Sequence, residues 1–329
     1  MVSEKIDLLV FNDEELRKSC GIFTNSSFRK CAALSLTLRG IRANSNRITE
    51  AIKIIKENTI VFSNFRGNNL LNVAVTISLT NNMTTSFREI NAIYERLKKN
   101  FFSNEYLVLA AQIIFNSRDN IDIYKAIDKT KYVYDSMKKN HWFLTGHEDI
   151  SAAAMIAVTS ENLDKTLEEI EAQYKILKED HIFGGNKLQN LSHILVLFNG
   201  DVSEKAKKVS AFSKELSKDS IRLNSYAYPL IGVSAFITGT PKEFAKEVKD
   251  TIKIMKEKYG FGTFSMSSNI RNMFAIGIVA SKYSSLISDE ESLKIINTTN
   301  NITLNIQLVI QIAAASAAAG AAAAAAASN

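Results

Sequence analysis

The chain has very little of the two residues that interrupt helices. It contains 2 prolines and 13 glycines in 329 residues, well below the roughly 5% and 7% found in average proteins. Proline removes a backbone donor and glycine leaves the backbone too free, so both concentrate in turns rather than in helices. Their scarcity excludes a collagen-like or loop-rich protein and predicts an all-α fold.

Cysteine and blocks of one charge are also scarce. Cys20 and Cys31 are the only cysteines, which excludes a disulfide framework, and Cys31 lies in an apolar run that predicts a buried position. The 40 basic and 34 acidic residues are mixed along the chain, which does not predict nucleic-acid binding. Residues 1–15 lack the pattern of a secretory signal. We therefore expect a cytoplasmic protein without a nucleic-acid partner.

What the chain does have is a repeat of about forty residues. Each unit holds a short apolar segment, a polar break, a long charged amphipathic segment and a loop with an aromatic or β-branched residue. A fixed period of this size is typical of stacked supersecondary units. The breaks fall at Gly40, Thr80, Asn116, Thr159, Asn199 and Thr238, with a degraded seventh near Ser281.

The two kinds of segment predict two layers. The short segments, such as 106–115 and 151–158, are apolar around nearly their whole circumference and must be buried on all sides. The long segments, such as 87–99, 163–178 and 244–258, carry an apolar stripe at helical spacing among charged residues. The sequence therefore predicts αα-hairpin repeats in a tightly curved α-solenoid or an α/α toroid, with apolar inner helices and charged outer helices.

Cap residues predict where two of the outer helices begin. Ser86 and Glu89 have the spacing of a capping box. Thr240 is followed by Pro241 at the first helical position and by Glu243 three residues after the cap. These patterns place the two helix starts at Ser86 and Thr240.

The repeat also predicts three parts of the chain: an N-terminal helical extension at 1–24, the hairpin array at 25–285 and a C-terminal tail at 286–329. The tail carries no charge after Lys294 and ends in an alanine run, which favours a helix. It could pack on the array as a last inner helix or plug, or be a disordered low-complexity segment. A transmembrane anchor is the third possibility, because the run reaches the roughly 20 residues that cross a bilayer. Its polar side chains and lack of flanking basic residues disfavour that role.

Two polar stretches interrupt the regular pattern. Residues 141–149 read HWFLTGHED and hold the only tryptophan, and residues 184–195 read GGNKLQNLSHIL. In the register of the repeat, Asp149 and Gln189 each lie ten residues before their break, and Tyr228 is the equivalent residue of the next unit. No tight metal-ligand spacing is present, so we expect neither a metal nor a cofactor. The predicted binding site consists of His141, Thr145, Glu148, Asp149, Asn186, Gln189, His193 and Tyr228.

A structural interpretation of these stretches is favoured over a ligand site. Acidic residues in the first turn of a helix are stabilised by its N-terminus, so the pair at 148–149 needs no further role. Gln189 and His193 could form a hydrogen-bond network between neighbouring repeats. Trp142 and Phe143 are expected to staple their loop to the array rather than to stack on a substrate.

The same stretches carry a resemblance to a known family. HWFLTGHED, the charged helix that ends with Tyr174 and Leu177, and GGNKLQNLSHIL together resemble the bacterial family called domain of unknown function 4003. The resemblance runs from about Phe28 to Ser285. It implies an all-helical, cytoplasmic bacterial protein without an assigned activity, and it transfers no functional residue to this chain.

Three classes of function remain open. The favoured class is a non-catalytic binding or scaffold module, because repeat arrays present extended concave surfaces to a protein or a small molecule. One alternative is an α/α toroid enzyme with a polar site on the inner-helix edge of repeats 4 to 6, and a raised pKa at Glu148 or Asp149 in a concave pocket would favour it. The other is a membrane-associated protein held by its alanine-rich tail. The sequence leans away from an enzyme, since no nucleophile, general base and orienting group converge.

We expect removal of residues 303–329 to lower the melting temperature, because a tail that packs on the array covers apolar surface. Thermal denaturation of the full chain and the truncated chain measures the effect. An unchanged melting temperature would show that the tail packs on nothing.

Overall fold

The computed structural model describes residues 2–20, 25–179, 187–223 and 228–284. Within these ranges the regular structure consists of fourteen α-helices and one short 3₁₀ turn, without a β-strand. The all-α prediction is therefore confirmed. The helices are α1 (Val2–Ser19), α2 (Ser26–Leu38), α3 (Ser45–Glu57), α4 (Leu70–Ser78), α5 (Met83–Leu97), α6 (Glu105–Ser117), α7 (Ile123–Asn140), α8 (Asp149–Thr159), α9 (Leu163–Glu179), α10 (Lys187–Leu195), α11 (Val202–Lys218), α12 (Tyr228–Ile237), α13 (Pro241–Glu257) and α14 (Ser268–Ser284), and the 3₁₀ turn is Gly67–Asn69.

The chain divides into two compact units. Unit 1 comprises Met1–Glu14, Ala33–Arg42 and Glu168–Asn329, and unit 2 comprises Glu15–Ala32 and Ala43–Leu167. The division falls inside α1, α2 and α9, so each of these helices contributes residues to both units. The domain boundaries derived from the repeat stay a prediction.

Unit 2 is built from three helical hairpins, α3 with α4, α5 with α6 and α7 with α8. The charged helices α3, α5 and α7 pack side by side, and the apolar helix α6 packs against α8. Every residue of α6 from Leu107 to Phe115 is buried. On α5 the buried stripe includes Phe87, Ile90 and Leu97, at helical spacing on one face. The contrast between apolar and charged segments in the sequence therefore corresponds to full and one-sided burial here.

Unit 1 uses the same pairing in its hairpins α11 with α12 and α13 with α14. The apolar helix α12 packs between α10 and α14, and the charged helices α11 and α13 pack together. Gly232 of α12 allows the close approach to α10, because a Cβ atom there would lie 2.9 Å from Leu191 Cδ1 and 3.4 Å from Ile194 Cγ2. A larger residue at this point of α12 would force the Leu191 side chain to shift.

The first helix is tied to the core of unit 1 by side-chain hydrogen bonds. Asn12 Nδ2 donates to Thr37 Oγ1 at 3.1 Å and to the carbonyl of Ile41 at 3.0 Å. Lys5 Nζ donates to Ser281 Oγ at 2.8 Å, a contact between residues 276 positions apart in the sequence. The N-terminal helix of unit 1 therefore contacts the last described helix of the same unit.

Helix capping confirms one predicted helix start and corrects the other. Thr240 and Glu243 form the predicted capping box, with Pro241 in the first turn of α13. The start at Ser86 is wrong, because α5 begins one turn earlier and Asn82 Oδ1 accepts the N–H of Thr85 at 2.9 Å. Asparagine caps a helix as well as serine does. Because the helix already begins after Asn82, Ser86 lies inside it and is buried.

The structure also tests the predicted seventh break near Ser281 and the predicted burial of Cys31. Ser281 lies inside α14, which continues to Ser284, so the degraded seventh break is not a break in the described helix. Its hydroxyl donates to the carbonyl of Ile278 at 2.9 Å, within the same helix. Cys31 is buried in α2 as predicted, and burial raises the pKa of its thiol to about 12.

A buried arginine organises the loop between α13 and α14. The Arg271 guanidinium donates to the carbonyls of Phe261 at 2.9 Å, Gly262 at 3.0 Å and Met266 at 2.6 Å. These bonds link three carbonyls of the loop to one side chain, and they compensate for the burial of the guanidinium.

We expect Arg271→Met to lower the free energy of unfolding by about 2–3 kcal/mol, because partly buried carbonyls lose a charged donor. Lys253→Met, which changes an exposed lysine of α13, is the matched control and should cost less than about 0.5 kcal/mol. Urea denaturation of the two variants measures the difference. Equal stability of both variants would contradict a structural role for Arg271.

Candidate functional site

The residues predicted to form a binding site divide between the two units. One group, in unit 2, lies on the loop before α8 and at the start of that helix, and the other, in unit 1, lies on α10 and α12. Asn186 lies outside the described residues. The unit 2 group is His141, Thr145, Glu148 and Asp149, and the unit 1 group is Gln189, His193 and Tyr228.

The unit 1 group lies on a packed pair of helices. Gln189 and His193 are buried one turn apart on α10, which packs against α12. The carbonyl of Gln189 accepts the Ser192 hydroxyl at 2.7 Å. Tyr228 begins α12 and is half-buried, and this burial raises the pKa of its phenol. Both α10 side chains thus belong to the core of unit 1.

The unit 2 group builds two successive turns between α7 and α8. The carbonyl of His141 accepts both the backbone N–H and the hydroxyl of Thr145, each at 3.0 Å. The N–H of Gly146 donates to Asp149 Oδ2 at 2.8 Å, and the N–H of Asp149 donates back to the carbonyl of Gly146 at 3.3 Å. The side chains of Thr145 and Asp149 therefore stabilise the loop by hydrogen bonds to its backbone.

Asp149 is the most strongly perturbed carboxyl group in this loop. Asp149 is only 3% exposed, and burial raises the pKa of its carboxyl group to about 7. The hydrogen bond from the N–H of Gly146 lowers this pKa, and the charge of Glu148 raises it by a smaller amount. Burial also raises the pKa of Tyr134, and the charges of Asp149 and Glu148 raise it further. A carboxyl group in this state exchanges its proton near neutral pH, as acid–base catalysts do.

Trp142 and Phe143 do not staple the loop to the helices, so that prediction is wrong. Trp142 is 73% exposed and Phe143 is 67% exposed. Their rings contact each other edge to face, with centroids 5.8 Å apart. Because Thr145 and Asp149 already hold the turn, its two aromatic side chains remain directed outward.

The same position of the two preceding hairpins also exposes apolar side chains, which the sequence analysis missed as functional candidates. Phe62 is 94% exposed on the loop after α3, and Phe102 is 83% exposed on the loop after α5. Ile60 and Val61 are exposed beside Phe62. The available signal was spacing, since residues 62, 102 and 142 are forty positions apart.

Hydrogen bonds join the first of these loops to the second. Asn64 Nδ2 donates to Ser103 Oγ at 2.8 Å and to the Tyr94 hydroxyl at 3.0 Å. The buried Asn69 Nδ2 bridges the carbonyl of Asn64 at 2.9 Å and the carbonyl of Glu105 at 3.0 Å. The loop after α3 and the loop after α5 are therefore neighbours in space.

An aromatic contact joins the second loop to the third hairpin. The rings of Phe101 and Tyr134 meet edge to face with centroids 5.2 Å apart. Tyr134 in turn lies close enough to Asp149 and Glu148 for their charges to raise its pKa. The three loops thus follow one another along one edge of unit 2. We call residues 58–66, 98–104 and 141–148 the loop edge.

Unit 1 also exposes two aromatic side chains, Tyr259 and Phe264, on the loop after α13. A surface depression of about 700 Å³ lies between α11 and α13 in unit 1 and contains none of the predicted site residues. Within the described ranges, no group of three or more His, Cys, Asp and Glu side chains could hold a metal ion. The depression is lined by Ala211, Lys214, Glu215, Ser217, Lys218, Thr240, Pro241 and Lys242.

Comparison with known proteins decides the family. A profile described as "Protein of unknown function (DUF4003)" matches residues 12–313. The chain belongs to this family. The "Uncharacterized protein YeaA" of Bacillus subtilis (strain 168) is 24% identical over 198 residues, which cover 58% of this chain and 59% of that protein. This DUF4003 chain therefore spans less than two thirds of its curated relative, and no solved structure matches it.

Among the described helices of the DUF4003 chain, none is long and apolar enough to span a bilayer. The C-terminal tail lies outside the described residues, and so do all three interpretations of it. The cytoplasmic location stays a prediction.

We expect Asp149→Asn to flatten the pH dependence of stability. The folded pKa of about 7 lies above the unfolded value near 3.9. The native state therefore keeps a proton that the unfolded chain loses. The contribution of Asp149 to the free energy of unfolding should be largest below about pH 4, fall by up to about 1.4 kcal/mol per pH unit as the pH rises to 7, and then level off.

Urea denaturation between pH 4 and 8 measures this slope, with Asp128→Asn as the matched control for an exposed aspartate of α7. The control should keep the wild-type slope. If Asp149→Asn keeps it too, the proton of Asp149 does not contribute to stability.

Proposed function

We propose that this DUF4003 protein is a non-catalytic binding module that engages its partner through the loop edge of unit 2. The observation that carries the proposal is the exposure of six large apolar side chains on three adjoining loops. Monomeric proteins rarely leave such a concentration of apolar surface in water unless it binds something. The six are Ile60, Val61, Phe62, Phe102, Trp142 and Phe143, each at least 67% exposed.

The exposed side chains stand beside others that the same loops bury. Phe65 is fully buried and packs edge to face on Tyr94 and Phe87, with ring centroids 5.0 and 5.3 Å apart. Phe62, three residues earlier, is 94% exposed and is not packed into the core in this way. Since the fold already anchors this loop through Phe65, the exposure of Phe62 is explained better by binding than by packing.

Polar bonds hold the exposed tips in place before any partner arrives. Arg66 Nε donates to Thr59 Oγ1 at 3.0 Å, and its terminal nitrogen donates to the carbonyls of Thr59 and Lys56. Thr145 and Asp149 hold the loop of Trp142 in the same manner. A binding surface ordered in advance loses less conformational entropy when it binds.

The finer architecture belongs to the same proposal. Successive packing of α3 with α5 and of α5 with α7 supports an αα-hairpin repeat, which places one loop per hairpin along an edge. We extend this to the α-solenoid or α/α toroid predicted from the sequence. A cytoplasmic location accords with the free, buried thiol of Cys31.

An acid–base enzyme centred on Asp149 is the second candidate. The pKa of about 7 favours it, because that value suits a group that accepts and returns a proton at neutral pH. Against it, the carboxyl group is almost entirely buried and accepts a hydrogen bond from Gly146 that closes the turn. A structural role already accounts for both properties, so the binding module is preferred.

Photo-crosslinking tests the binding surface directly. The photoreactive residue p-benzoylphenylalanine replaces either Phe102 on the loop edge or Tyr124, an exposed aromatic residue in the first turn of α7. In Bacillus subtilis cells that express the full chain, we expect light-dependent adducts at position 102 and none at position 124. Gel electrophoresis and mass spectrometry detect the adducts.

The outcome at the two positions decides the proposal. No adduct at 102, or equal adducts at both positions, would contradict a binding role for the loop edge. Circular dichroism of both purified variants should match the wild type, because both replaced side chains are exposed.

A further inference from the structure

We infer that the partner of the loop edge is an anionic lipid surface, on which the three loops insert their apolar tips. This inference rests on the proposed function and specifies its partner. It differs from anchoring by the alanine-rich tail, since it uses only side chains of unit 2 that the structure describes.

Lysines stand directly behind each apolar tip. Lys99 and Lys139 each precede the exposed aromatic residue of their loop, Phe102 or Trp142, by three positions. Lys56 occupies the last turn of α3, before the loop of residues 60–62. At a membrane surface, an apolar tip that enters the acyl boundary leaves basic side chains one turn behind it at the level of the phosphates.

Positively charged side chains outnumber negatively charged ones around the apolar tips. Exposed acidic groups near the edge are Glu57, Glu95 and Asp135. Glu95 is paired with Lys98 at 2.9 Å, and Asp135 is paired with Lys131. Glu105 and Glu148 are half-buried. The exposed lysines therefore outnumber the exposed carboxylates, and a negatively charged surface complements them. The lysines at the edge are Lys56, Lys98, Lys99, Lys138 and Lys139, all exposed.

The shape of the edge favours a lipid surface over a peptide or a nucleic acid. The apolar side chains protrude from separate loops and do not form the walls of a pocket that could hold a ligand side chain. Such side chains become buried when they insert into the acyl region of a lipid bilayer. The Trp142 and Phe143 rings cross at 78°. Crossed rings provide no parallel platform on which successive bases would stack.

The test uses Trp142 as its own reporter, because it is the only tryptophan of the chain. The purified full chain is mixed with vesicles of phosphatidylcholine and phosphatidylglycerol in a 3:1 ratio, or of phosphatidylcholine alone. We expect co-sedimentation with the anionic vesicles, a blue shift of the tryptophan emission and quenching by lipids brominated in the acyl chains. Binding should weaken as salt is raised.

Two variants separate the apolar and the electrostatic contributions. Phe62→Ser with Phe102→Ser should weaken partitioning at least tenfold, because two large apolar side chains no longer insert. Lys99→Gln with Lys138→Gln should weaken binding to anionic vesicles roughly tenfold or more. Both variants retain Trp142. Tyr124→Ser, at the first turn of α7, is the matched control and should bind as the wild type does.

The results distinguish failure of the lipid inference from failure of the binding module. Unchanged Trp142 emission and no co-sedimentation with either vesicle would overturn the lipid inference. If adducts at position 102 are then found on a protein, the binding module stands with a protein partner. If position 102 also yields no adduct, both proposals fail. Binding that is equally strong for the Phe62 and Phe102 variant would overturn insertion through the loop edge.

Discussion

The constraint on which the rest of unit 2 depends is the burial of helices that are apolar on every side. A helix such as α6, buried continuously from Leu107 to Phe115, needs cover around its whole circumference. The amphipathic helix α5 covers one side, and the next apolar helix, α8, covers another. This requirement brings successive hairpins together, and it places the loops that connect their helices along one edge.

Polar side chains in and beside these loops form hydrogen bonds mainly with the backbone. Main-chain groups of the loops are bonded by the side chains of Arg66, Asn69, Thr145 and Asp149. Because these bonds order the loops, the aromatic residues at the tips are not needed for packing. The aromatic side chains at the tips are thereby left exposed, and exposed lysines lie close to them in the sequence.

Local signals in the sequence predicted local features well. Helical spacing predicted both kinds of helix, and the Thr240 capping box formed as predicted. Ser86 failed as a cap because Asn82 competes with it, and backbone geometry decides between two good caps. The direction of Trp142 depends on a turn closed by Asp149, which hydrophobicity does not encode. The predicted repeat register proposed equivalent positions along the chain, but it did not show which compact unit each position joins.

Hydroxyl-radical footprinting in cells tests the central claim, that the loop edge is the functional surface of this DUF4003 protein. Oxidation of Phe62, Phe102 and Trp142 is measured by mass spectrometry in the purified chain and in Bacillus subtilis cells that express it. The account predicts strong oxidation of these residues in the purified chain and protection in cells, while the exposed Tyr124 is oxidised equally in both. Equal oxidation of the loop-edge residues in both settings would contradict it.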